Sequence, residues 1–311
     1  MSTLICGSLA YDTIMVFHDR FRNHILPEQV HLLNVSFQVP ELRRNFGGCA
    51  GNIAYNLKLL GGTALPMATV GTDFGDYAAW LDRCGIERTH VTEVPGTYTA
   101  QAYITTDLDD NQITAFHPGA MNASERNRVA EAQGVTLGIV APDGRQGMLD
   151  HAAQFAAAGI PFIFDPGQGL PLFDGAELLR FIDQARWLAV NDYESRLVQE
   201  RTGLGLEQLA RRVEAVIVTR GAAGSLIHHA GQVHEIPAVT VAEAVDPTGC
   251  GDAYRAGLLF GLERGLDWPT SGRIAALLGA LKVGCHGTQN HAFDAAEIDE
   301  RFHAAFGYRF A

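Results

Sequence analysis

The residues best suited to chemistry lie late in the chain, at positions 246–252, which read DPTGCGD. This stretch follows an extended segment and opens a predicted helix at 253–264. Two glycines before a helix let several backbone amides turn toward one point, where the helix dipole adds positive charge. Gly249, Cys250 and Gly251 are therefore predicted to form an anion-binding loop able to hold a transferring phosphoryl group.

A carboxylate accompanies this loop. Asp252 falls in the first turn of the predicted helix, where it can accept a proton from an attacking hydroxyl while the amides hold the phosphoryl oxygens. The alternative is purely structural, since aspartate is common at helix starts and Gly-x-Gly is common in turns. We interpret Cys250 as a small loop residue and not as a nucleophile.

Other phosphate-binding motifs are missing from the sequence. The chain has two lysines, Lys58 and Lys282, and neither follows a glycine, so there is no Walker P-loop. Neither stands in the V-A-I-K context of a protein kinase, and the dinucleotide G-x-G-x-x-G fails because position 254 is tyrosine. Phosphates would have to be held by backbone amides and arginine.

Composition excludes several classes of protein. The chain has 311 residues, of which 47% are hydrophobic and 19% charged, which is too apolar for a mainly disordered protein. The longest apolar run, 274–285, contains Lys282 and is too short to cross a membrane. The net charge of −12 opposes loose binding to long nucleic acids. We therefore expect neither nucleic acid nor membrane as a partner.

The cysteine pattern and the first residues bear on location. There are five cysteines, an odd number, and no C-x-x-C, so a disulfide framework or zinc ribbon is not expected. The first twelve residues lack the basic and long apolar regions of a secretory signal. A reducing cytoplasm fits these features best.

Short apolar runs alternate with helical patterns over most of the chain. Buried strands are predicted at 3–6, 66–70, 137–141, 161–164, 187–190 and 216–219, and helices at 52–60, 77–84, 148–158 and 253–264. This alternation predicts an α/β fold with a mostly parallel central sheet covered on both faces.

Two segments interrupt the alternation. Residues 15–39 show short alternating runs, 15–17 and 35–39, without a helix. Residues 97–117 predict a hairpin with strands at 100–106 and 113–117. We expect one domain over residues 1–311, with a small β-sheet lid built from segments at about 13–46 and 96–118.

The longer string D-P-T-G-x-G-D-A-x-x-A-G, which starts at Asp246, resembles the C-terminal signature of the ribokinase / phosphofructokinase-B family of carbohydrate and nucleoside kinases. The likeness continues along nearly the whole chain. It includes GSLAYD at 7–12, GGCAGN at 47–52, N-x-x-E at 191–194 and T-x-G at 219–221. Further segments, among them FHPGAM at 116–121 and GTQ at 287–289, are similar to the bacterial adenosine kinases of this family. The resemblance implies a ribokinase-like three-layer α/β/α fold with a small β-sheet lid.

The resemblance also implies an acceptor site. Asp12 and Asn52 would bind ribose hydroxyls, for which a carboxylate and an amide are suitable partners. Phe116 would stack on a purine base. The remaining acceptor-site candidates are Ser8, Ser36, Gly47, Gly48 and Gln168. The chain departs from this subgroup at Gly169, where a second glutamine is usual, which weakens the implied contact to the base or sugar.

A donor site is implied as well. Glu194, supported by Asn191, would order a hydrated Mg²⁺ beside the phosphates of ATP. Thr219, Gly221 and Gly224 would contact the nucleotide, together with Gly249 and Gly251 of the loop. Residues 285–290 would close over adenine, and Asp246 could help to bind K⁺. For each of these residues the alternative is an ordinary cap or turn.

The expected activity is ATP-dependent phosphorylation of the 5′-hydroxyl of adenosine, which gives AMP and ADP, with Asp252 as the base. Two alternatives stay open: a kinase for another nucleoside or a sugar, such as inosine, ribose or fructose, and a non-catalytic nucleoside sensor with the same fold. A homodimer formed through the lid is expected from the same resemblance.

Overall fold

The computed structural model describes residues 2–25, 35–109 and 111–310. Its strands are β1 (Ser2–Cys6), β2 (Ala10–Val16), β3 (Glu41–Gly47), β4 (Ala64–Val70), β5 (Val91–Glu93), β6 (Ala100–Thr106), β7 (Gln112–His117), β8 (Val135–Val140), β9 (Phe162–Phe164), β10 (Trp187–Asn191), β11 (Ala215–Thr219), β12 (Ser225–His229) and β13 (Gln232–Ile236). Its α-helices are α1 (Cys49–Leu59), α2 (Gly75–Arg83), α3 (Arg145–Ala158), α4 (Gly175–Gln184), α5 (Asp192–Thr202), α6 (Leu206–Ala210), α7 (Cys250–Glu263), α8 (Trp268–Val283) and α9 (Ala295–Phe306).

The strands expected from the apolar runs assemble into one large sheet with the order β13-β12-β11-β10-β9-β8-β1-β4-β5. Neighbouring strands from β11 to β5 run parallel, and β12 and β13 add two antiparallel strands at one edge. Every residue of β4 is buried, as a parallel sheet covered on both faces requires. The expectation of a mostly parallel sheet is confirmed.

Helices cover both faces of this sheet. Alternate side chains of β1 point to opposite sides, so Ile5 joins a hydrophobic cluster with α1, α7 and α8, whereas Leu4 joins one with α3 and α4. Helices α7 and α8 approach closely at Gly257, where a Cβ would lie 2.5 Å from the Cα of Ala275. The helices of the described part of the chain lack the combination of length and apolar character that crossing a membrane requires.

A second, smaller sheet has the order β3-β2-β6-β7. The predicted hairpin is confirmed as β6 and β7, which pair antiparallel. Strand β3 escaped prediction because its sequence, ELRRNFG, is mostly exposed and has no apolar alternation. The alternating run at 35–39 is not a strand; Phe37 instead packs against Phe17 and Phe21 at ring-centroid distances of 4.7 and 5.1 Å.

One register position of the small sheet brings four residues into line. Asp12 is paired with Asn45 on β3 and with Ala102 on β6, and Ala102 is paired with Phe116 on β7. Side chains that are paired in this way share one face of a sheet. We call these four residues the cross-strand row. Within the segment at 7–12, the turn after β1 takes only residues 7–9, and Asp12 lies inside β2.

Candidate active site

Several of the predicted site residues lie at the carboxyl edge of the large sheet. Ser8 follows β1, Asn191 ends β10 and Thr219 ends β11. Parallel strands all end at the same edge, where ligands of open α/β sheets bind. Asp252, in the first turn of α7, accepts a hydrogen bond from Asn52, near the start of α1. The start of α7 therefore lies close to the start of α1.

The loop predicted to bind an anion lies within residues 246–252, and we call this stretch the anion loop. Gly249 has φ of 78°, a left-handed conformation that favours glycine, and it turns the chain into α7. Cys250 N–H donates to the Pro247 carbonyl at 3.2 Å. The amides of Gly249, Gly251 and Asp252 have no acceptor among the described residues. These three amides and the helix dipole are therefore available to an anion.

The thiol inside the loop is not a nucleophile at neutral pH. Burial raises the pKa of Cys250 to about 11. The nucleophile in thiol chemistry is the thiolate, which is scarce four pH units below such a value. The interpretation of Cys250 as a small loop residue is consistent with this environment.

The Asp252 carboxylate lies beside the free amides. Its Oδ2 accepts a hydrogen bond of 2.7 Å from Asn52 Nδ2. Burial raises the pKa of Asp252 to about 7, although the Asn52 bond acts in the opposite direction. A carboxylate with such a proton affinity is well matched to take a proton near neutral pH.

Asn52 is itself held in place by a series of hydrogen bonds. Its Oδ1 accepts from Gln289 Nε2 at 3.0 Å, and Gln289 Oε1 accepts from Trp80 Nε1 at 2.8 Å. Gln289 Nε2 also donates to the Tyr77 hydroxyl at 2.7 Å, which in turn donates to the Gly47 carbonyl. This series of hydrogen bonds determines which end of the Asn52 amide faces Asp252. The sequence predicted Asn52 as a sugar ligand and missed its bond to Asp252.

The stretch at 285–290 contacts both the small sheet and Asn52. Thr288 and Gln289 are buried, and Thr288 Oγ1 donates to the Phe46 carbonyl of β3 at 2.6 Å. Gln289 supports Asn52. The contacts of these two residues are with β3 and Asn52, whereas the resemblance implied closure over adenine.

A buried arginine adjoins the anion loop. Arg255 Nε and Nη2 donate to the two carboxylate oxygens of Asp165 at 3.0 and 3.1 Å, and both side chains are about 5% exposed. Arg255 Nη1 has no acceptor among the described residues and lies 3.9 Å from where a Cβ on Gly251 would stand. The sequence predicted arginine in place of lysine without singling out Arg255. The sequence did contain a signal for Arg255: it follows Asp252 by three residues on one helix, a spacing that places two side chains next to each other.

The residues expected near Mg²⁺ form a helix cap. Glu194 N–H donates to Asn191 Oδ1 at 2.7 Å, and Glu194 Oε2 accepts from Asn191 N–H at 2.8 Å. Burial and the nearby Asp165 raise the pKa of Glu194, whose other oxygen has no protein partner among the described residues. The described residues contain no group of three or more side chains that could hold a metal ion by themselves. One free carboxylate oxygen fits a hydrated Mg²⁺ that arrives bound to phosphates, because Mg²⁺ keeps most of its waters.

The turn after β11 carries the other donor-side candidates. Thr219 Oγ1 donates to the Val190 carbonyl at 3.5 Å, and residues 221–223 form one 3-10 turn. Gly224 is packed tightly, since a Cβ there would lie 2.1 Å from the Ile236 carbonyl oxygen. The turn is at the correct edge of the sheet for the expected nucleotide contacts.

The acceptor-side candidates divide into two groups. Burial, and secondarily the charge of Asp246, raises the pKa of Asp12 to about 6, and no hydrogen bond from a described residue stabilises its carboxylate. Gly47 leaves room for that carboxylate, because a Cβ there would lie 2.3 Å from Asp12 Oδ2. Phe116, in the same cross-strand row, is 51% exposed. These groups are open to a ligand.

The other acceptor-side candidates either have a structural role or are exposed without a hydrogen-bond partner in the described part of the chain. Ser8 accepts the Cys49 amide at its Oγ and the Ala50 amide at its carbonyl oxygen, so it caps α1, and Gly48 supplies the sharp turn between. Ser36 and Gln168 are exposed and form no hydrogen bond with a described residue. The sequence missed Asn45, although it lies two residues before Gly47 on the same strand face.

Comparison with known proteins agrees with this geometry. A family model described as pfkB family carbohydrate kinase matches residues 10–295. A nucleoside kinase of Methanocaldococcus jannaschii is 32% identical over 260 residues, which are 83% of this chain and 85% of that protein.

Solved structures give the same result. The nucleoside kinase of Burkholderia thailandensis in complex with inosine matches with a TM-score of 0.91 at 56% identity over 99% of each chain. A second structure of that enzyme, described as a complex with ADP-inosine, matches with a TM-score of 0.89 at 58% identity over 99% of this chain and 97% of that one. The expected ribokinase-like fold is confirmed, and this chain belongs to the pfkB family of carbohydrate kinases.

Proposed function

We propose that this protein is an ATP-dependent nucleoside kinase that phosphorylates the 5′-hydroxyl of adenosine and of closely related purine nucleosides. The observation that carries the proposal is the position of the Asp252 carboxylate, which lies beside three unpaired amides of the anion loop and accepts a bond from Asn52. A base next to an anion-binding loop is what in-line phosphoryl transfer to an alcohol requires.

In the proposed reaction the 5′-oxygen forms a bond to the γ-phosphorus of ATP, and the bond to the β-phosphate oxygen breaks to release ADP. Asp252 takes the hydroxyl proton. The amides of Gly249, Gly251 and Asp252 hold the phosphoryl oxygens, and Arg255 Nη1 adds positive charge nearby. Mg²⁺, held beside Glu194, would neutralise phosphate charge.

The cross-strand row supports a nucleoside as the acceptor. Asp12 offers an unpaired carboxylate to the ribose diol. Phe116 stands two strands away on the same face, roughly 10 Å across the sheet. The small side chain of Ala102 lies between them. This spacing suits a ribose at one end and a base stacked on the ring at the other.

Two considerations decide which nucleoside is proposed. The B. thailandensis enzyme is described in complex with inosine, and it shares 56% identity with this chain. The resemblance of FHPGAM at 116–121 and GTQ at 287–289 to bacterial adenosine kinases favours adenosine. We therefore place both purine nucleosides at this site, with adenosine as a substrate.

The test is release of ADP from Mg·ATP with adenosine, inosine, cytidine, ribose and fructose as acceptors. We expect adenosine and inosine to exceed the free sugars at least roughly tenfold in kcat/KM, because a nucleoside brings a base to Phe116 and a free sugar does not. A preference for ribose or fructose would make the protein a sugar kinase. Saturable adenosine binding without ADP release from any acceptor would indicate a sensor.

We also propose that the small sheet acts as a lid and as a homodimer interface in a cytoplasmic protein. All six residues of the edge strand β7 are exposed, including Ile113 at 45%, and an exposed edge strand can pair with a second copy. Sedimentation of the protein and of Ile113→Lys tests the dimer. We expect the variant to shift toward monomer, whereas Val233→Lys, an exposed control on β13, should not.

A further inference from the structure

Lys282 is a fully buried lysine with unusual partners. It is one of two lysines in the chain, and its side chain in α8 has no solvent exposure. Its Nζ donates to the main-chain carbonyl of Asp246 at 2.7 Å and to that of Cys285 at 3.1 Å. Among the described residues no carboxylate forms an ion pair with it. Burying an ammonium is costly, and here two carbonyls and the attraction of the nearby Asp246 carboxylate offset part of that cost.

The two carbonyls tie Lys282 to the anion loop. Asp246 begins that loop, and Cys285 begins the turn that leads to Thr288, which packs against Gly249. The ammonium therefore joins two segments that together form one wall of the phosphoryl site. A positive charge there also favours an anion in the loop.

This arrangement does not fit the K⁺ expected at Asp246. The carboxylate is already used, since Oδ1 accepts from Thr248 N–H and Oδ2 from Gly287 N–H, each at 2.9 Å. The main-chain oxygen accepts from Lys282. Each of the three oxygens that Asp246 could offer to a monovalent cation thus already accepts a hydrogen bond from the protein. The expectation of K⁺ at this residue is not supported.

We propose that Lys282 is a built-in cation that replaces an exchangeable monovalent ion. Its ammonium holds the Asp246 and Cys285 carbonyls and thereby keeps the anion-loop amides directed at the transferring phosphoryl group. Lys282 touches neither substrate in this arrangement, so it is a positioning residue. The inference rests on the proposed kinase function, and it makes that activity independent of K⁺.

The first test uses the unmodified protein. ADP release with adenosine is measured in potassium, sodium and tetramethylammonium chloride at equal ionic strength. We expect kcat to agree within about twofold in all three salts, because the positive charge is covalently attached. Activation by K⁺ of more than tenfold would overturn the proposal.

The second test removes the charge in two ways. Lys282→Met keeps most of the volume, and Lys282→Ala leaves a hole that K⁺ or methylammonium can enter. We expect both to lower kcat roughly 10- to 100-fold, as loss of one oriented donor does, with KM for adenosine changed less than threefold. K⁺ or methylammonium should restore part of kcat in Lys282→Ala only. Lys58→Ala, at the exposed lysine of α1, is the control.

Readouts other than turnover separate this inference from the proposed function. ADP affinity by calorimetry should fall in both Lys282 variants, and K⁺ should raise the Tm of Lys282→Ala but not that of Lys282→Met. If no nucleoside is phosphorylated, the proposed function fails while these two measurements still decide on Lys282. Unchanged ADP affinity in Lys282→Met, or wild-type kcat in that variant, would contradict the proposal. Should Lys282→Ala not fold, Lys282→Met and the salt series are decisive.

Discussion

The phosphoryl side and the acceptor side of the cleft are built differently. On the phosphoryl side the protein supplies partners for the groups proposed to act in catalysis: Asn52 donates to Asp252, Gln289 donates to Asn52, and Lys282 donates to Asp246. On the acceptor side, Asp12 has no hydrogen bond from a described residue, and Phe116 is half exposed.

This contrast has a physical consequence. Groups that act on developing charge must be oriented before the substrate arrives, because reorientation during the reaction would raise the barrier. Groups that bind a neutral acceptor can stay unpaired until the acceptor satisfies them. Substitutions on the phosphoryl side should therefore lower kcat, and substitutions on the acceptor side should raise KM.

The largest effect is expected for Asp252→Asn. The amide keeps the shape of the side chain but cannot take the proton, so kcat should fall roughly 10³-fold. Adenosine affinity by calorimetry should change little. Cys250→Ser, two residues earlier and with a neutral side chain, is the control and should keep near-normal kcat. Wild-type turnover by Asp252→Asn would refute the assignment of the base.

A smaller effect on a different parameter is expected for Asp12→Asn. Loss of a charged acceptor for the ribose diol should lower kcat/KM roughly 10- to 100-fold, mainly through KM. The pKa of about 6 adds a pH signature, since protonation of Asp12 below that value should raise KM in the wild type. With 2′,3′-dideoxyadenosine, wild type and variant should be alike. A fall in kcat alone would contradict the division into two sides.

Phe116→Ala should raise KM for nucleosides by roughly tenfold, the contribution expected of one aromatic stacking contact. Its kcat/KM for ribose should stay unchanged, because a free sugar has no base to stack. Phe116→Tyr keeps the ring and serves as the matched variant. Equal losses for adenosine and ribose would show that the ring supports the small sheet and does not contact a base.

The pH dependence of kcat sharpens the comparison on the phosphoryl side. The ionised form of Asp252 is the active base, so kcat should rise with pH through a midpoint of about 7. Asn52 donates to the carboxylate and so lowers its pKa. Asn52→Leu should therefore move the midpoint to higher pH. A midpoint that stays in place would mean that the hydrogen bond does not act on the ionised form.

Much of the fold could be predicted because local patterns carry it. The buried strands β1, β4, β8, β10 and β11 are apolar runs. The hairpin of β6 and β7 has its own turn. Strand β3 could not be predicted, because its pairing with β2 is determined by tertiary contacts and its residues are mostly exposed.

The site shows the same limit. The glycines and Asp252 could be recognised because a loop, a helix start and a carboxylate are adjacent in sequence. The partner of Asp252 could not, because Asn52 is separated from it by 200 positions. Asp165 and Arg255, 90 positions apart, form their ion pair through the same kind of long-range contact.

By itself, the sequence determined the alternation of buried strands and helices, the glycine loop before Asp252 and the likeness to a kinase family, since each depends on neighbouring residues. The tertiary structure alone decided that Asp12 shares the cross-strand row with Phe116, that Asn52 faces Asp252, and that Lys282 donates to the main chain of Asp246, where K⁺ was expected. These facts depend on how distant segments pack, and packing is a property of the whole chain that no local pattern contains.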